Sequence, residues 1–288
     1  MQQLGFIGLG AMGGPMSKNL LKKNYSLLAY DIDERALREA VNAGALKAAS
    51  VKEVAENCEI VLLSLPTSEV VEEVCLGYDG LVRNMNKGII VDMSTTDIAI
   101  TENLGKKCRE KGLEFLDAPV SGGPEGAKAA TLTIMVGGKR EVFERCYEIF
   151  KALGKEIHYI GEIGSGQKIK LVNQILVGIH FAATAEAVFF GVKLGLDPNI
   201  IFEVVSKSAG NSFIFNKSLP QIIKKDYNTG WRVRLTHKDL WLALKAGEKY
   251  NIPLPLSSLA ANLHNSAMAK GFKDLDPACL IQIFESMS

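Results

Sequence analysis

Little in this chain suits a metal, a disulfide framework or a nucleic acid. The five cysteines (Cys58, Cys75, Cys108, Cys146, Cys279) are odd in number and widely spread, with no CxxC pair and no Cys/His cluster. A disulfide framework is not expected in a chain of 288 residues with that spacing, and no metal site is expected either. Four of the five fall in predicted helices or beside predicted strands, where a free Cys acts as a small core hydrophobe. A net charge of +1 with no dense basic run gives no electrostatic footprint for nucleic acid. The N-terminus has neither a basic n-region nor a long apolar h-region, so no secretory signal is expected. One run, Ile175 to Leu194, imitates a membrane span, but it contains His180, Glu186 and Lys193, each costly at a bilayer centre. A helix apolar on nearly all sides also suits a protein interior or a subunit interface. The expectation is therefore a soluble, cytoplasmic protein with no membrane partner.

What is present is a strand–helix alternation followed by helix alone. The length favours two domains, with 1–163 alternating and 164–288 all-helical. Gln3 to Ile7 reads as a buried strand that runs into Gly8-Leu9-Gly10-Ala11-Met12-Gly13, a GxGxxG, and then a helix from Met12 to about Lys22. Gly8 permits the tight turn, and Gly10 lets the backbone approach a pyrophosphate. Gly13 lets helix and strand pack closely, with the phosphates at the helix N-terminus. A second strand, Ser26 to Tyr30, ends at Asp31, which lies 18 residues past Gly13. That is near the roughly 20 expected of the acid that binds the adenosine ribose hydroxyls. The alternative role for Asp31 is a cap on the helix that begins at Asp33. An acid here favours NAD over NADP, because it repels a 2′-phosphate, although Arg35 is close by in sequence.

Apolar strands Glu59 to Leu65 and Gly88 to Met93 read as members of a parallel sheet covered on both faces. Ligands of such sheets bind at the carboxyl ends of the strands. This puts Leu65, Pro66 and Thr95 near the same cofactor, with ordinary strand-end turn chemistry as the alternative. Strand Leu113 to Leu116 leads into Asp117-Ala-Pro-Val-Ser121-Gly122-Gly123, where Ser121, Gly122 and Gly123 offer a hydroxyl and N–H groups as a nest for a carboxylate, with a plain loop between Leu116 and the next helix as the alternative. Glu125 to Ala130 and Lys139 to Leu153 read as helices, and Thr131 to Val136 and Ile157 to Ile160 as strands.

The chain pivots at Gly164 to Gln174, a glycine-flanked entrance to a long helix (164–194). Lys170, Asn173 and Gln174 stand at i, i+3 and i+4 and share a helix face, a lysine and two amides suited to holding and protonating a small oxygen-bearing molecule. Helices are then predicted at Pro198 to Ser206, Ser218 to Lys225, Lys238 to Tyr250, Leu256 to Lys270 and Pro277 to Ser286. Lys238-Asp239 follows the loop Tyr227 to Arg234 and is expected to open its helix, against the macrodipole, so that Asp239 or a partner anion must offset the charge. A solvated surface pair is the other reading of Lys238.

Gly5 to Leu21, Asp117 to Gly123, Gly164 to Gln174 and Lys238-Asp239-Leu240 together resemble, in order and spacing, the beta-hydroxyacid dehydrogenases, the 3-hydroxyisobutyrate dehydrogenase family. The resemblance covers the whole chain. It implies an α/β fold: an N-terminal Rossmann-type dinucleotide-binding domain, a long interdomain helix and an all-α C-terminal domain that also forms a homodimer or homotetramer interface. It implies an NAD(P)-dependent oxidoreductase that transfers hydride to or from a short 3-hydroxy acid or its aldehyde acid. Lys170 is then the acid/base, Ser121-Gly122-Gly123 hold the substrate carboxylate, and Asn173 orients the substrate. Leu65, Pro66, Thr95 and Lys238 lie at the cofactor. Asn173-Gln174 replaces the Asn-Asn of many members and, with the segment before it, is similar to tartronate semialdehyde (2-hydroxy-3-oxopropionate) reductases. Other stretches are similar to the 3-hydroxyisobutyrate and 2-(hydroxymethyl)glutarate branches, so the substrate stays open, with glyoxylate and succinic semialdehyde also on the panel. From a different class, a non-catalytic dinucleotide-binding protein is the remaining alternative.

Overall fold

The computed structural model describes residues 3–228 and 231–287; Thr229 and Gly230, in the predicted loop before Lys238, lie outside them. The chain packs as two compact units, Met1–Lys170 and Leu171–Ser288.

The first unit runs β1 (Gln3–Ile7), α1 (Gly13–Lys22), β2 (Ser26–Tyr30), α2 (Glu34–Asn42), β3 (Leu46–Lys47), α3 (Val51–Asn57), β4 (Ile60–Leu63), α4 (Ser68–Leu76) and α5 (Leu81–Asn84). It continues through β5 (Ile89–Asp92), α6 (Ile98–Glu110), β6 (Glu114–Asp117), β7 (Val120–Ser121), α7 (Gly123–Ala129), β8 (Leu132–Gly137), α8 (Arg140–Lys151) and β9 (Gly154–Gly161), and reaches the first turns of α9 (Ser165–Lys193). The strands form one sheet in the order β3-β2-β1-β4-β5-β6-β8-β7, with β9 beside β8. Pairing is parallel from β3 to β6; β8 then runs antiparallel to β6 and β7.

Alternation along the strands explains their apolar runs. Ile60 and Leu62 enter one buried cluster with Ile89 and Val91, while Val61, Leu63 and Ile90 enter another on the opposite face. With both faces covered, β4 is apolar at every position and β5 at all but its last, Asp92. All five cysteines are free and buried, and burial pushes the Cys108 and Cys146 thiols up to about 12. They are core side chains.

The second unit comprises the rest of α9, then α10 (Pro198–Val205), α11 (Phe213–Lys224), α12 (Val233–Lys249), α13 (Pro255–Ala269), a 3-10 turn (Pro277–Leu280) and α14 (Ile281–Glu285). Phe181, Ala185 and Val188 of α9 pack with Ile214, Phe215 and Leu219 of α11 and with Leu280. Farther round α9, Ala182 joins Leu240 of α12 and Ala260 and Ala261 of α13. A Cβ at Gly178 would stand 2.7 Å from the δ-carbons of Leu240, so the missing side chain is what lets α12 lie close.

α9 is long and apolar enough to cross a membrane by length and composition alone. Its early turns are hydrogen-bonded into the first unit, and Phe181, Ala185 and Val188 farther along it pack within the second. α12 begins at Val233, five residues before the predicted start at Lys238. α11 begins at Phe213 under a Ser212 cap and carries Pro220 within it, where the sequence reading starts only at Ser218.

Candidate active site

The glycine loop leaves β1 beside its two neighbours, β2 and β4, at the point where the strand order reverses. Open α/β sheets bind ligands at that crevice. Gly8 has φ of +92°, and a Cβ on Gly13 would overlap the Gly8 carbonyl oxygen. A Cβ on Gly10 would meet nothing within 4 Å, so the approach there is open. α1 has no side-chain cap and no acidic residue in its first turn, which leaves the N–H groups of its N-terminus to an anion. Leu9 is buried, Met12 half-buried, and Gly10 and Ala11 face solvent. These residues fit a dinucleotide pyrophosphate.

Asp31 follows the last residue of β2. Its Oδ2 accepts from Leu9 N–H at 2.5 Å and its Oδ1 from Asp33 N–H at 2.8 Å. The cap of α2 is Asp33, which accepts from Arg35 N–H at 2.8 Å. Capping is thus removed as the role of Asp31, and the acid stands against the glycine loop. Arg35 is turned to Glu39 at 3.6 Å.

At the ends of β4, β5 and β6 a buried polar network ties the turns to α9. Leu65 N–H donates to Ser94 Oγ at 2.8 Å, and Pro66 beside it is exposed. Asp92 accepts from Ser94 N–H at 2.9 Å and Thr96 Oγ at 2.6 Å, across the half-buried Thr95. Gln167 of α9 is fully buried; its Oε1 accepts from Thr96 N–H at 3.0 Å and its Nε2 donates to the Ser94 carbonyl at 2.9 Å. Asp117, at the end of β6, accepts from Gly164 N–H at 2.8 Å and Gln167 N–H at 2.9 Å, capping α9. Burial pushes the Asp117 carboxyl up to about 7; the two N–H donors pull it back and Asp92 adds to the rise.

This network fixes the helix one turn before Lys170, which is 6% exposed. Lys168 points elsewhere, to Glu102 of α6 at 3.1 Å. Ser121 pairs with Thr133 as the last residue of β7, and Gly122 and Gly123 turn the chain into α7 with φ of +131° and +62°. Only glycine adopts two such conformations in succession without strain. The SGG turn and Lys170 sit on separate elements of the same unit.

Within the second unit Asn173, one turn beyond Lys170 along α9, begins a chain of polar contacts. Its Nδ2 donates to Gln174 Oε1 at 2.8 Å, and Gln174 Nε2 donates to Asp239 Oδ2 at 2.5 Å. Lys238 Nζ lies 3.4 Å from Asp239 Oδ1, near enough for charge attraction though not aligned as a hydrogen bond. Asn173 and Lys238 are thereby linked. Because α12 starts at Val233, Lys238 stands in its second turn and the expected conflict with the helix N-terminus does not arise. Nor is the pair a surface one, since the side chains of Lys238 and Asp239 are only 23% and 9% exposed.

The sequence reading assigns no role to Asp92, Ser94, Thr96, Asp117 or Gln167. A usable signal exists for Gln167: polar residues recur at 167, 170 and 174 on one face of an otherwise apolar helix. Among the described residues no group of three or more His, Cys, Asp or Glu side chains is placed to hold a metal ion.

Residues 3–161 match the family described as the NAD binding domain of 6-phosphogluconate dehydrogenase, and residues 164–284 the one described as NAD-binding of NADP-dependent 3-hydroxyisobutyrate dehydrogenase. The chain is 39% identical to 2-(hydroxymethyl)glutarate dehydrogenase of Eubacterium barkeri, covering 99% of this chain and 96% of that one. It is 37% identical to 2-hydroxy-3-oxopropionate reductase of Escherichia coli K12, covering 99% and 98%. A crystal structure of 3-hydroxyisobutyrate dehydrogenase from Salmonella typhimurium superposes with a TM-score of 0.90 at 29% identity, covering 98% of this chain and all of that one.

Proposed function

Because the chain belongs to the beta-hydroxyacid dehydrogenase family of NAD(P)-dependent oxidoreductases acting on CH–OH groups, we propose that it interconverts a short 3-hydroxy acid and its aldehyde acid. Tartronate semialdehyde is the first-choice substrate. The observation that carries the reading is the buried Lys170, set one turn beyond a helix start that Asp117 and Gln167 lock onto the strand ends. The Asn173–Gln174 pair and the 37% identity to a 2-hydroxy-3-oxopropionate reductase support that substrate. The 39% identity to a 2-(hydroxymethyl)glutarate dehydrogenase supports the second reading, a longer acid.

The nicotinamide, when bound, supplies or accepts the hydride. Lys170 gives a proton to the substrate oxygen on reduction and removes it on oxidation, and its burial keeps water from weakening that interaction. Ser121 Oγ and the N–H groups of Gly122 and Gly123 hold the carboxylate, and Asn173 orients the substrate. Gly8 to Gly13 hold the pyrophosphate, and Asp31 takes the ribose hydroxyls and sets a preference for NAD over NADP. Leu65, Pro66, Thr95 and Lys238 complete the cofactor site.

The protein works in the cytoplasm as a homodimer or homotetramer joined through its helical unit. Exposed Phe190, Leu194, Leu196, Ile200 and Val204 border a cavity of about 650 Å³ there, which supports assembly on that face. The test is steady-state turnover with NADH and NADPH on tartronate semialdehyde, glyoxylate, succinic semialdehyde and methylmalonate semialdehyde, with 2-(hydroxymethyl)glutarate assayed in the oxidative direction. Lys170→Ala should lower kcat by about 10²–10⁴-fold and leave cofactor affinity nearly intact. Wild-type turnover in that variant would remove Lys170 from the chemistry.

A further inference from the structure

We propose that Asp239 and Gln174 fix the hydrogen-bonding sense of Asn173, so that it presents its carbonyl oxygen to the substrate and selects an acid that carries a hydroxyl group. This rests on the reading of Asn173 as substrate-facing and specifies what it recognises.

The argument starts from the one group whose polarity is settled by its chemistry. A carboxylate accepts hydrogen bonds and donates none. Gln174 faces Asp239 Oδ2 at 2.5 Å, so it turns its NH₂ to that oxygen. Its Oε1 then points the other way, toward Asn173 at 2.8 Å. Two carbonyl oxygens repel at that distance, so Asn173 must answer with its Nδ2. The sense of both amides thus follows from Asp239 rather than from an arbitrary choice between oxygen and nitrogen.

The amide of Asn173 is left with Oδ1 uncommitted: among the described residues no protein group donates to it. Asn173 is half-buried, whereas Gln174 and Asp239 are 8% and 7% exposed, so the chain runs from a buried anchor to a reachable acceptor. The anchor is also held in place: α12 lies against α9 at Gly178, and Lys238 adds its charge beside Asp239 Oδ1.

A carbonyl oxygen held in this way repels a carboxylate or an aldehyde oxygen and takes a hydroxyl hydrogen. The substrate class that meets it is an aldehyde acid carrying a hydroxyl next to the reacting carbon, in preference to one carrying hydrogen or methyl at that place. The selectivity residues are then Gln174 and Asp239, although neither touches the substrate.

Tartronate and malonate differ by one central hydroxyl, and neither is reduced by NADH, so they serve as the probes. Each is titrated calorimetrically into the protein with saturating NADH. The wild-type protein should bind tartronate roughly tenfold more tightly, the size of one neutral hydrogen bond. Gln174→Leu, which breaks the chain but leaves the Lys238–Asp239 pair, should bring the ratio near one. Asp239→Asn should do the same or reverse it, because an amide at that position can donate to Gln174 and allow both side chains to turn over. NADH titration identifies the variants that remain folded. A wild-type ratio near one overturns the inference however the variants behave, and so does a tenfold ratio kept by either folded variant. Turnover is scored separately. Absence of turnover with the expected ratios would sink the proposed activity alone, and turnover with a ratio of one would sink this inference alone.

Discussion

Asp31 and His264 show how single side chains set measurable behaviour. Asp31 meets two N–H groups, and a ribose hydroxyl arriving there would gain a charge-assisted bond. Such bonds contribute about 1.5–3 kcal/mol, so Asp31→Ala should raise the KM for NADH by roughly tenfold to a hundredfold. NADPH should be affected far less, and the ratio of the two constants is the readout. His264 is fully buried; Nδ1 pairs with the Ala260 carbonyl at 2.9 Å and Nε2 has no partner among the described residues. Burial pushes its pKa down from 6.5 to about 4, so between those values the unfolded chain binds a proton that the folded one refuses. Stability therefore rises with pH across that window and falls as the pH drops from 6.5 toward 4, by about 3 kcal/mol in all. Denaturant titrations at pH 7 and pH 4.5 should show the loss, and His264→Phe should flatten it.

At the scale of elements, the start of α9 is the sensitive join. Gln167→Leu would leave the Thr96 N–H and the Ser94 carbonyl buried without their present partner. Each orphaned group costs about 1–3 kcal/mol, and the helix that presents Lys170 loses its register. The expected result is a fall in both urea midpoint and kcat, with less change in KM. Asp117 acts on pH with the opposite sign to His264. Its folded pKa, raised from 3.8 to about 7, means that its own contribution weakens as pH rises through that range. Gly178→Leu should be more damaging than either change, because the new side chain meets Leu240 and parts α12 from α9.

Long elements were legible in the sequence because their signals are long. The apolar runs of β4 and β5 and the helical runs of α8 and α9 are placed to within a residue or two of their observed bounds. β3 and β7, two residues each, and α5, a single turn, are too short to show any period. The first turn of α11 is missed because a proline is favoured in the first turn of a helix, so Pro220 reads as marking a start near Ser218 although it lies inside the helix. The polar network at the strand ends was illegible for another reason. It joins residues as far apart as Ser94 and Gln167, and spacing along a chain carries no information about such pairs.

At the scale of the whole molecule, the exposed apolar residues of the helical unit carry the proposed assembly. Sedimentation should report a dimer or tetramer, and Phe190→Asp should lower the mass, since Phe190 is 64% exposed at the rim of the cavity. A monomeric wild-type protein would remove that assignment.

The two compact units are joined by no loop at all: the division between Lys170 and Leu171 falls inside an unbroken helix of 29 residues. Proteases cut at exposed, flexible loop tips, and here the peptide bonds between the units are wound into backbone hydrogen bonds. Mild digestion should therefore spare that junction and nick elsewhere first. The same winding limits how such chains can be recombined. A crossover at the boundary would have to preserve the helical phase of α9, because one residue inserted or deleted there turns every later side chain by about 100°.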